Sequence, residues 1–293
     1  MTVPWLLDHA PHTPFMAART AHPPGLSPLD PATWISLDPD FAAQMARRAE
    51  LFDRVPALVC AELPEAHAPV HELLAALVAH LATRTGYRVA GDDIERPDGR
   101  TVAVDRSHPL RALNRLVAED FCILSADPAS GEYRLIAGLL CFPSRWLLSE
   151  KIGRPLTVIH DPVPDYGRDL ARRVNRVFDM LRPERPLVRV NWLVHATAEL
   201  HLPLGISDKQ VARADPAEGV FLRTERQTLV RLPETGAVVF GIKTSVCPLD
   251  ALRPDQAAAL RRELTSLGGD AIAYRSGEAV HNAAIARLDR LAA

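Results

Sequence analysis

The stretch Glu119–Tyr166, EDFCILSADPASGEYRLIAGLLCFPSRWLLSEKIGRPLTVIHDPVPDY, decides the fold of this chain. It predicts two apolar strands, at 121–125 and 132–142, joined by the turn sequence DPASG. A short charged helix, SRWLLSEKIG, follows and ends at Gly153. The stretch then places His160 between an apolar run and two prolines. This histidine is therefore the first residue we consider for chemistry.

The sequence on either side of this stretch predicts helices before it and an antiparallel meander after it. Apolar residues at helical spacing predict helices at 41–54, 64–85, 110–120, 168–181, 254–267 and 277–292. Further strands are predicted at 187–196, 221–233 and 237–246, with a hairpin within 87–105. Together these elements predict an α+β fold with one antiparallel sheet of about five strands and helices over one face. A pocket is expected between the helical crossover and the sheet.

Composition excludes several classes of function. The chain has 293 residues, a formal net charge of −2 and scattered cations, which argues against a nucleic-acid partner. No apolar run approaches the ~20 residues of a membrane span, and no basic segment precedes an apolar core as in a secretory signal. The four cysteines stand alone, without a C-x-x-C pair, and are expected to be reduced thiols. We therefore expect a cytoplasmic protein that binds neither membrane nor nucleic acid.

Two segments hold residues that suit chemistry. Two prolines after His160 would hold its ring rigidly beside apolar neighbours, as a proximal haem ligand requires. From the residues alone, a loop histidine that bonds a carbonyl is the more common alternative. In FLRTERQTLVRLP, strand alternation puts Arg223 and Gln227 on one side and Arg226 on the other. Such side chains either face a pocket or are solvated.

Other polar residues have simpler interpretations. The adjacent acids Glu119 and Asp120 resemble an acid pair, but carboxylates at a helix end are usually solvated. Cys141 lies in an apolar strand end, where burial disfavours a thiolate ligand. Ser144 lacks the G-x-S-x-G motif of a hydrolase nucleophile. Trp192, on an otherwise apolar strand, is typical of a core position.

Four motifs, in this order, carry a resemblance to a known family. They are LVAEDFCIL, LLCFPSRWLLSEKIGRPLTVIHDPVPDY, RVNWLV and LRTERQTLVRLPETGAVVFGIKT. Over about residues 5–270 the chain resembles the alpha subunit of haem-dependent oxidative N-demethylase. The resemblance implies a PAS-like sheet that binds haem b and demethylates a dimethylamine-like secondary amine with dioxygen, giving formaldehyde and the smaller amine. It also implies electrons from NADPH through a separate reductase with flavin and an iron–sulfur cluster.

The resemblance also implies a domain plan and a set of site residues. The plan is an extended N-terminal arm and helix at 1–58, a PAS-like haem-binding core at 59–250 and C-terminal helices at 251–293. His160 would be the iron ligand, with Arg145, Trp146, Tyr166, Trp192 and Arg223 around the cofactor. Arg226, Gln227 and Glu199 would act on oxygen or substrate, and Glu225 is a further candidate for binding the amine.

Two alternatives to the enzyme remain open. One is a non-catalytic haem-PAS sensor or carrier, and the other is a haem-free structural member of the family. The arm segment ARTAHPPGLSPL departs from the family pattern, so the resemblance does not predict how a substrate reaches the site. A homo-oligomer is also left open.

Overall fold

A seven-stranded antiparallel sheet forms the centre of the computed structural model. The structure describes residues 3–21, 24–160, 168–204 and 215–292, without the side chains of 160, 168–173 and 274. The described strands are β1 (Ser27–Pro28), β2 (Cys60–Glu62), β3 (Arg88–Ala90), β4 (Asp93–Glu95), β5 (Thr101–Ala103), β6 (Asp120–Ala126), β7 (Tyr133–Leu139), β8 (Leu187–His195), β9 (Phe221–Arg231) and β10 (Val238–Pro248). The order in the main sheet is β1-β8-β9-β10-β6-β7-β2, and β3-β4-β5 form a small second sheet.

Helices cover both faces of the main sheet, not one face as the sequence predicted. The described α-helices are α1 (Ala18–Ala21), α2 (Phe41–Arg54), α3 (Pro56–Val59), α4 (His67–Leu81), α5 (Pro109–Leu116), α6 (Leu148–Lys151), α7 (Leu156–His160), α8 (Arg168–Met180), α9 (Pro254–Thr265), α10 (Gly269–Arg275) and α11 (Glu278–Ala292). The mixed helix and sheet content confirms the α+β class. No described helix is long and apolar enough to cross a bilayer.

The five long strands of the sheet are those predicted from the sequence, and the meander β8-β9-β10 is confirmed. The two additional strands lie at the edges. β1 pairs with β8 through two residues, and β2 pairs with β7 through three. Segments this short cannot show the alternation by which a strand is recognised, so the sequence did not predict them.

The pairing of β8, β9 and β10 defines two faces of the sheet. Residues directly opposite one another on paired strands share a face. We call the face that carries Arg223, Glu225 and Gln227 the front face, and the face that carries Thr224 and Arg226 the back face.

Apolar clusters cover both faces. On the front face, Val177 and Phe178 of α8 pack against the cluster that contains Leu229. On the back face, α4 and α5 pack against Phe121 and Val239 of the sheet. The sequence shows that these helices are amphipathic but not which face each one covers.

Gly138 of β7 lies directly against the side chain of Leu148 on α6. A Cβ at this position would lie 2.6 Å from Cδ1 of Leu148, so a larger residue would require this leucine to move. The pairing of β6 with β7 also shifts register between Ile123 and Leu124. A glycine inside a strand often marks a bulge or a close approach of this kind.

Glu119 and Asp120 are buried, so the expectation that they are solvated is wrong. Helix α5 ends at Leu116, and Asp120 begins β6. The Asp120 carboxylate lies 2.6 Å from Nη1 of the fully buried Arg48 and accepts the backbone N–H of Cys141 at 2.8 Å. Glu119 accepts the backbone N–H of Ser36 at 2.7 Å, and burial raises its pKa. These long-range partners offset a desolvation that the local sequence does not reveal.

A second buried ionic group joins the N-terminal arm to the back face of the sheet. Asp40 directly precedes α2, but its side chain makes no cap hydrogen bond. Instead, Nζ of Lys243 lies 3.2 Å from Asp40 and 3.2 Å from Asp38. Gln44 donates to both Asp40 and the backbone carbonyl of Thr244. Burial raises the pKa of Asp40, while the ammonium of Lys243 opposes that change.

The cysteines have no disulfide partners. Cys122, Cys141 and Cys247 are buried and Cys60 is half-buried, and all four are free. Burial raises the pKa of the Cys141 thiol to about 12, which confirms that this residue is a core thiol and not a thiolate.

Candidate active site

A buried carboxylate with three donors around it lies at the centre of the front face. Glu225 is 8% exposed. It accepts hydrogen bonds from Nε of Arg223 at 3.3 Å, Nε2 of Gln227 at 3.1 Å and Nδ2 of Asn191 at 3.4 Å. Arg223 and Gln227 lie two residues before and after it on β9, and Asn191 lies opposite it on β8. The carboxylate is therefore held in one orientation by groups on two strands.

We call the side chains of Arg223, Glu225, Gln227 and Asn191 the row around Glu225. Arg223 links this row to the ends of two neighbouring segments. The residue is 1% exposed. Its Nη1 donates to the carbonyl of Leu200 at 3.0 Å, and its Nη2 donates to the carbonyl of Phe142 at 2.6 Å. Burial lowers the pKa of the guanidinium, while the charge of Glu225 opposes that change. An arginine remains protonated in this setting, so Arg223 contributes a fixed positive charge.

Arg189 adds a second cation on the same face, opposite Gln227. Its Nε is buried and has no hydrogen-bond partner among the described residues. Burial lowers the pKa of its guanidinium, and the charge of Glu225 opposes this. An unsatisfied buried donor is costly, which indicates that this part of the face is suited to an additional acceptor.

His195 and Ser144 lie at the other end of the row. Nε2 of His195 is 3.4 Å from Oγ of Ser144. Burial lowers the pKa of the imidazole to about 3, and the positive charges of Arg223 and Arg145 add to this effect. His195 is therefore neutral near pH 7, so it can donate or accept a hydrogen bond but does not carry a positive charge.

The low pKa of His195 predicts a pH-dependent stability. In the unfolded chain an imidazole titrates near its ordinary pKa of 6.5. Between pH 6.5 and about pH 3 the unfolded state therefore binds a proton that the folded state does not, so lowering the pH favours unfolding. The contribution of the neutral His195 to the free energy of unfolding is complete above about pH 6.5 and decreases as the pH falls. At pH 5 the free energy of unfolding should be lower by about 2 kcal/mol for this reason.

Urea unfolding at pH 7.5 and pH 5 checks this prediction. We expect the stability advantage of the original protein over a His195→Gln variant to shrink by about 2 kcal/mol between these two conditions. An advantage that is the same at both values would show that the buried imidazole does not carry this pH dependence.

His160 ends a short helix that the sequence prediction treated only as an apolar run. Leu156 and Ile159 of α7 pack into the apolar cluster of the front face together with Trp146 and Ile152. The backbone of His160 is described but its side chain is not, and Tyr166 lies outside the described residues. The helix that carries the expected iron ligand thus packs on the same side of the sheet as Glu225.

Two of the expected site residues lie on the back face. Arg226 donates to the carbonyl of Thr33 at 2.6 Å and to that of Trp34 at 3.2 Å, so it binds the N-terminal arm. Trp192 lies opposite Thr224, in a cluster with α9 and α11. The sheet separates both side chains from the row around Glu225. Buried Arg223 and Arg226 also exclude the alternative of solvated strand charges.

The remaining candidates lie around the edge of the row. Glu199 is in the loop after β8, where it accepts the backbone N–H groups of Leu200 and His201 at 2.9 and 3.1 Å. Arg145 has a φ of 64° and donates to the carbonyl of Arg275 at 3.2 Å. Trp146 stacks under Nζ of Lys151, 4.3 Å from the ring centroid. None of the described contacts brings these three side chains to the carboxylate of Glu225.

The sequence interpretation missed Asn191 as a member of this row, and Arg189 and His195 as its neighbours. All three lie on β8 at alternate positions of the same face, and the residues between them on the other face are apolar, which indicates that one face is largely polar. That alternation was available in the sequence. The pairing with β9, which brings the residues beside Glu225, was not.

The family model described as haem-dependent oxidative N-demethylase, alpha subunit-like matches residues 25–285, which span all strands of the sheet and His160. Because this match covers most of the chain, the protein belongs to the haem-dependent oxidative N-demethylase, alpha subunit-like family.

Proposed function

We propose that this chain is a haem-dependent oxygenase that removes a methyl group from a small secondary amine such as dimethylamine, yielding formaldehyde and the smaller amine. The observation that carries the proposal is the buried Glu225, whose carboxylate lies on the same side of the sheet as the helix that ends at His160. Family membership supports a haem-dependent oxidative reaction in general. The identity of the amine and the use of dioxygen go beyond what family membership supports, and they are the specific parts of this proposal.

The residues of the front face suit a haem. Apolar side chains from β9, β10 and α7 line one end of the face, including Leu229, Phe240 and Ile159. The unpartnered Nε of Arg189 suits an anionic group such as a propionate. His160 would bind the iron, and haem b would supply the activation of dioxygen. A sheet of five long strands with flanking helices supports the PAS-like character of this site.

Glu225 would bind the amine as its ammonium ion. A secondary amine is protonated at neutral pH, and a buried carboxylate attracts such a cation far more strongly than an exposed one. Gln227 and Asn191 donate to the carboxylate from two strands, so they would fix its orientation before the substrate arrives. Arg223, bound to two carbonyls, would keep this end of the face rigid and dry.

His195 would serve as a neutral hydrogen-bonding group at the site. Because burial and two neighbouring arginines disfavour its charged form, the imidazole would hydrogen-bond Ser144 or a group that approaches the pair without becoming protonated. The reducing equivalents would come from NADPH through a separate reductase that carries flavin and an iron–sulfur cluster. The description of the family as an alpha subunit supports such a partner.

Substitution of His160 tests the proposed ligand. We expect protein expressed with a haem precursor to show a Soret band that shifts on reduction with dithionite and again with carbon monoxide. In a His160→Ala variant, loss of the axial ligand should remove or shift this band and lower amine-dependent formaldehyde production by at least about 100-fold. An absorption spectrum and a formaldehyde assay measure both effects.

The control is His108→Ala, which changes an exposed histidine next to Asp105 and should leave spectrum and turnover unchanged. A His160→Ala protein with an unchanged spectrum and activity would refute the ligand assignment. A normal Soret band without oxygen consumption or formaldehyde would instead favour the haem sensor or carrier. A spectrum without a Soret band, measured on folded protein that was expressed with a haem precursor, would rule out the proposed haem-dependent function.

A further inference from the structure

We propose that a cleft between α2, α5 and the β4–β5 hairpin binds a small organic anion, with a doubly charged phosphate or dicarboxylate head on an apolar body the size of one or two rings. The cleft has a volume of ≈ 370 Å³. It lies among elements that pack towards the back face, so it is separate from the row around Glu225. Family membership does not assign a ligand to it.

Positive charge dominates the walls of this cleft. Four arginines line it, and Asp53 is the one acidic side chain among the described lining residues. Arg96 is already neutralised, because its Nε donates to Asp98 at 3.0 Å and its Nη2 forms a second bond to the same carboxylate. At least two positive charges around the cleft therefore lack a counter-charge among the described residues.

The other three arginines, Arg100, Arg111 and Arg115, make no ion pair with any residue that the structure describes. Arg111 and Arg115 are four residues apart on α5, so they are neighbours on the helix surface and repel each other. The chain as a whole has a formal charge of −2, so this is a local concentration of cations on an acidic protein. A bound anion would remove the repulsion.

The floor of the cleft is apolar. Met45 and Val102 are 2% and 3% exposed, and Phe52 is half-buried beside them. A guanidinium binds a phosphate or carboxylate through two parallel hydrogen bonds, whereas the floor suits a ring or hydrocarbon. The volume falls in the range of small-molecule sites, about 300–1,000 Å³. A recess of this size with walls on three elements favours a small ligand over a protein surface or a nucleic acid.

Isothermal titration of the full-length protein with three probes tests the proposal. Phenyl phosphate carries a doubly charged phosphate on an apolar ring, phthalate carries two carboxylates on such a ring, and phenol lacks the charge. We expect saturable one-site binding of phenyl phosphate or phthalate, and at least about tenfold weaker binding of phenol. Which of the two anions binds more tightly identifies the head group, and either result supports the site.

Paired double variants separate this site from general attraction to charge. Arg111→Gln with Arg115→Gln should weaken the anion at least about tenfold, since it removes two guanidiniums while keeping good helix formers. The matched control, Arg88→Gln with Arg106→Gln, removes the same charge from two exposed arginines outside the cleft and should change the Kd less than twofold. Absence of saturable binding by both anions, or equal weakening in both double variants, would overturn the proposal. These results do not depend on haem or on turnover.

Discussion

Replacing Lys243 with methionine is expected to lower the free energy of unfolding by about 3–5 kcal/mol. The side chain is fully buried, and its ammonium is within 3.2 Å of both Asp38 and Asp40. Methionine fills a similar volume but leaves two carboxylates at the back face without their cation. Chemical denaturation at pH 7.5, with far-ultraviolet circular dichroism as the signal, measures the loss.

The difference in free energy of unfolding between the original protein and Lys243→Met should become smaller as the pH falls. Burial already raises the pKa of Asp40 with the ammonium present. A carboxyl with a raised pKa in the folded state stabilises the fold when protonated, and it loses that contribution as the pH rises. At low pH the protonated Asp40 needs no counter-charge, so Lys243→Met should then approach the original protein.

Two further variants make this test specific. Arg54→Met removes a cation from a side chain that is 75% exposed and pairs with Glu50, and it should cost less than about 1 kcal/mol. Adding Asp40→Asn to Lys243→Met should recover part of the stability, because it removes an uncompensated charge. A loss below about 1 kcal/mol for Lys243→Met itself would mean that the arm is not held by this ionic group.

Replacing Glu225 with glutamine is expected to lower kcat/KM for the amine by about 10²–10³-fold. This expectation depends on the proposed function, in which the carboxylate binds the ammonium ion. Loss of one partner of a buried charge pair costs about 2–5 kcal/mol. Glutamine keeps the shape of the side chain and can still bond Asn191 or Gln227, so the main change is the loss of charge. Steady-state formaldehyde production at varied amine concentration measures the effect.

The Soret band distinguishes loss of substrate binding from loss of haem. We expect Glu225→Gln to keep its absorption spectrum while KM rises, and the exposed Glu218→Gln to behave as the original protein. A Glu225→Gln protein with normal spectrum and normal kcat/KM would assign the amine to a different group. A lost Soret band would instead show that the carboxylate supports the cofactor side of the face.

The structure separates residues that the family resemblance grouped together. Arg226 and Gln227 were both expected on the oxygen side, yet strand alternation already places neighbours on opposite faces. In the folded chain Gln227 bonds Glu225 and Arg226 bonds the arm. Alternation along one strand is local, so the sequence was sufficient for this distinction. Only the three-dimensional packing shows which of the two faces lies towards α7 and α8.

The neighbours of Glu225 and His195 could not be predicted from sequence. Ser144 and His195 are 51 positions apart, and their contact depends on how the end of β7 meets the end of β8. The depressed pKa of His195 follows from burial and from Arg223 on another strand, and neither is visible in the local pattern. Ionisable groups acquire unusual properties from their surroundings, so the site is a tertiary feature.

The sequence by itself determined the elements with a strong local period, including α2 at Phe41–Arg54, α8 at Arg168–Met180 and the meander of β8, β9 and β10. Their side-chain spacing depends only on residues within a few positions, and one face of each must be buried. Tertiary structure alone decided which charges are buried, because Lys243 and Asp40 lie 203 positions apart in the chain. Burying a charge is tolerated only where folding brings a partner to it, and that partner is set by the packing of the sheet with its arm and helices.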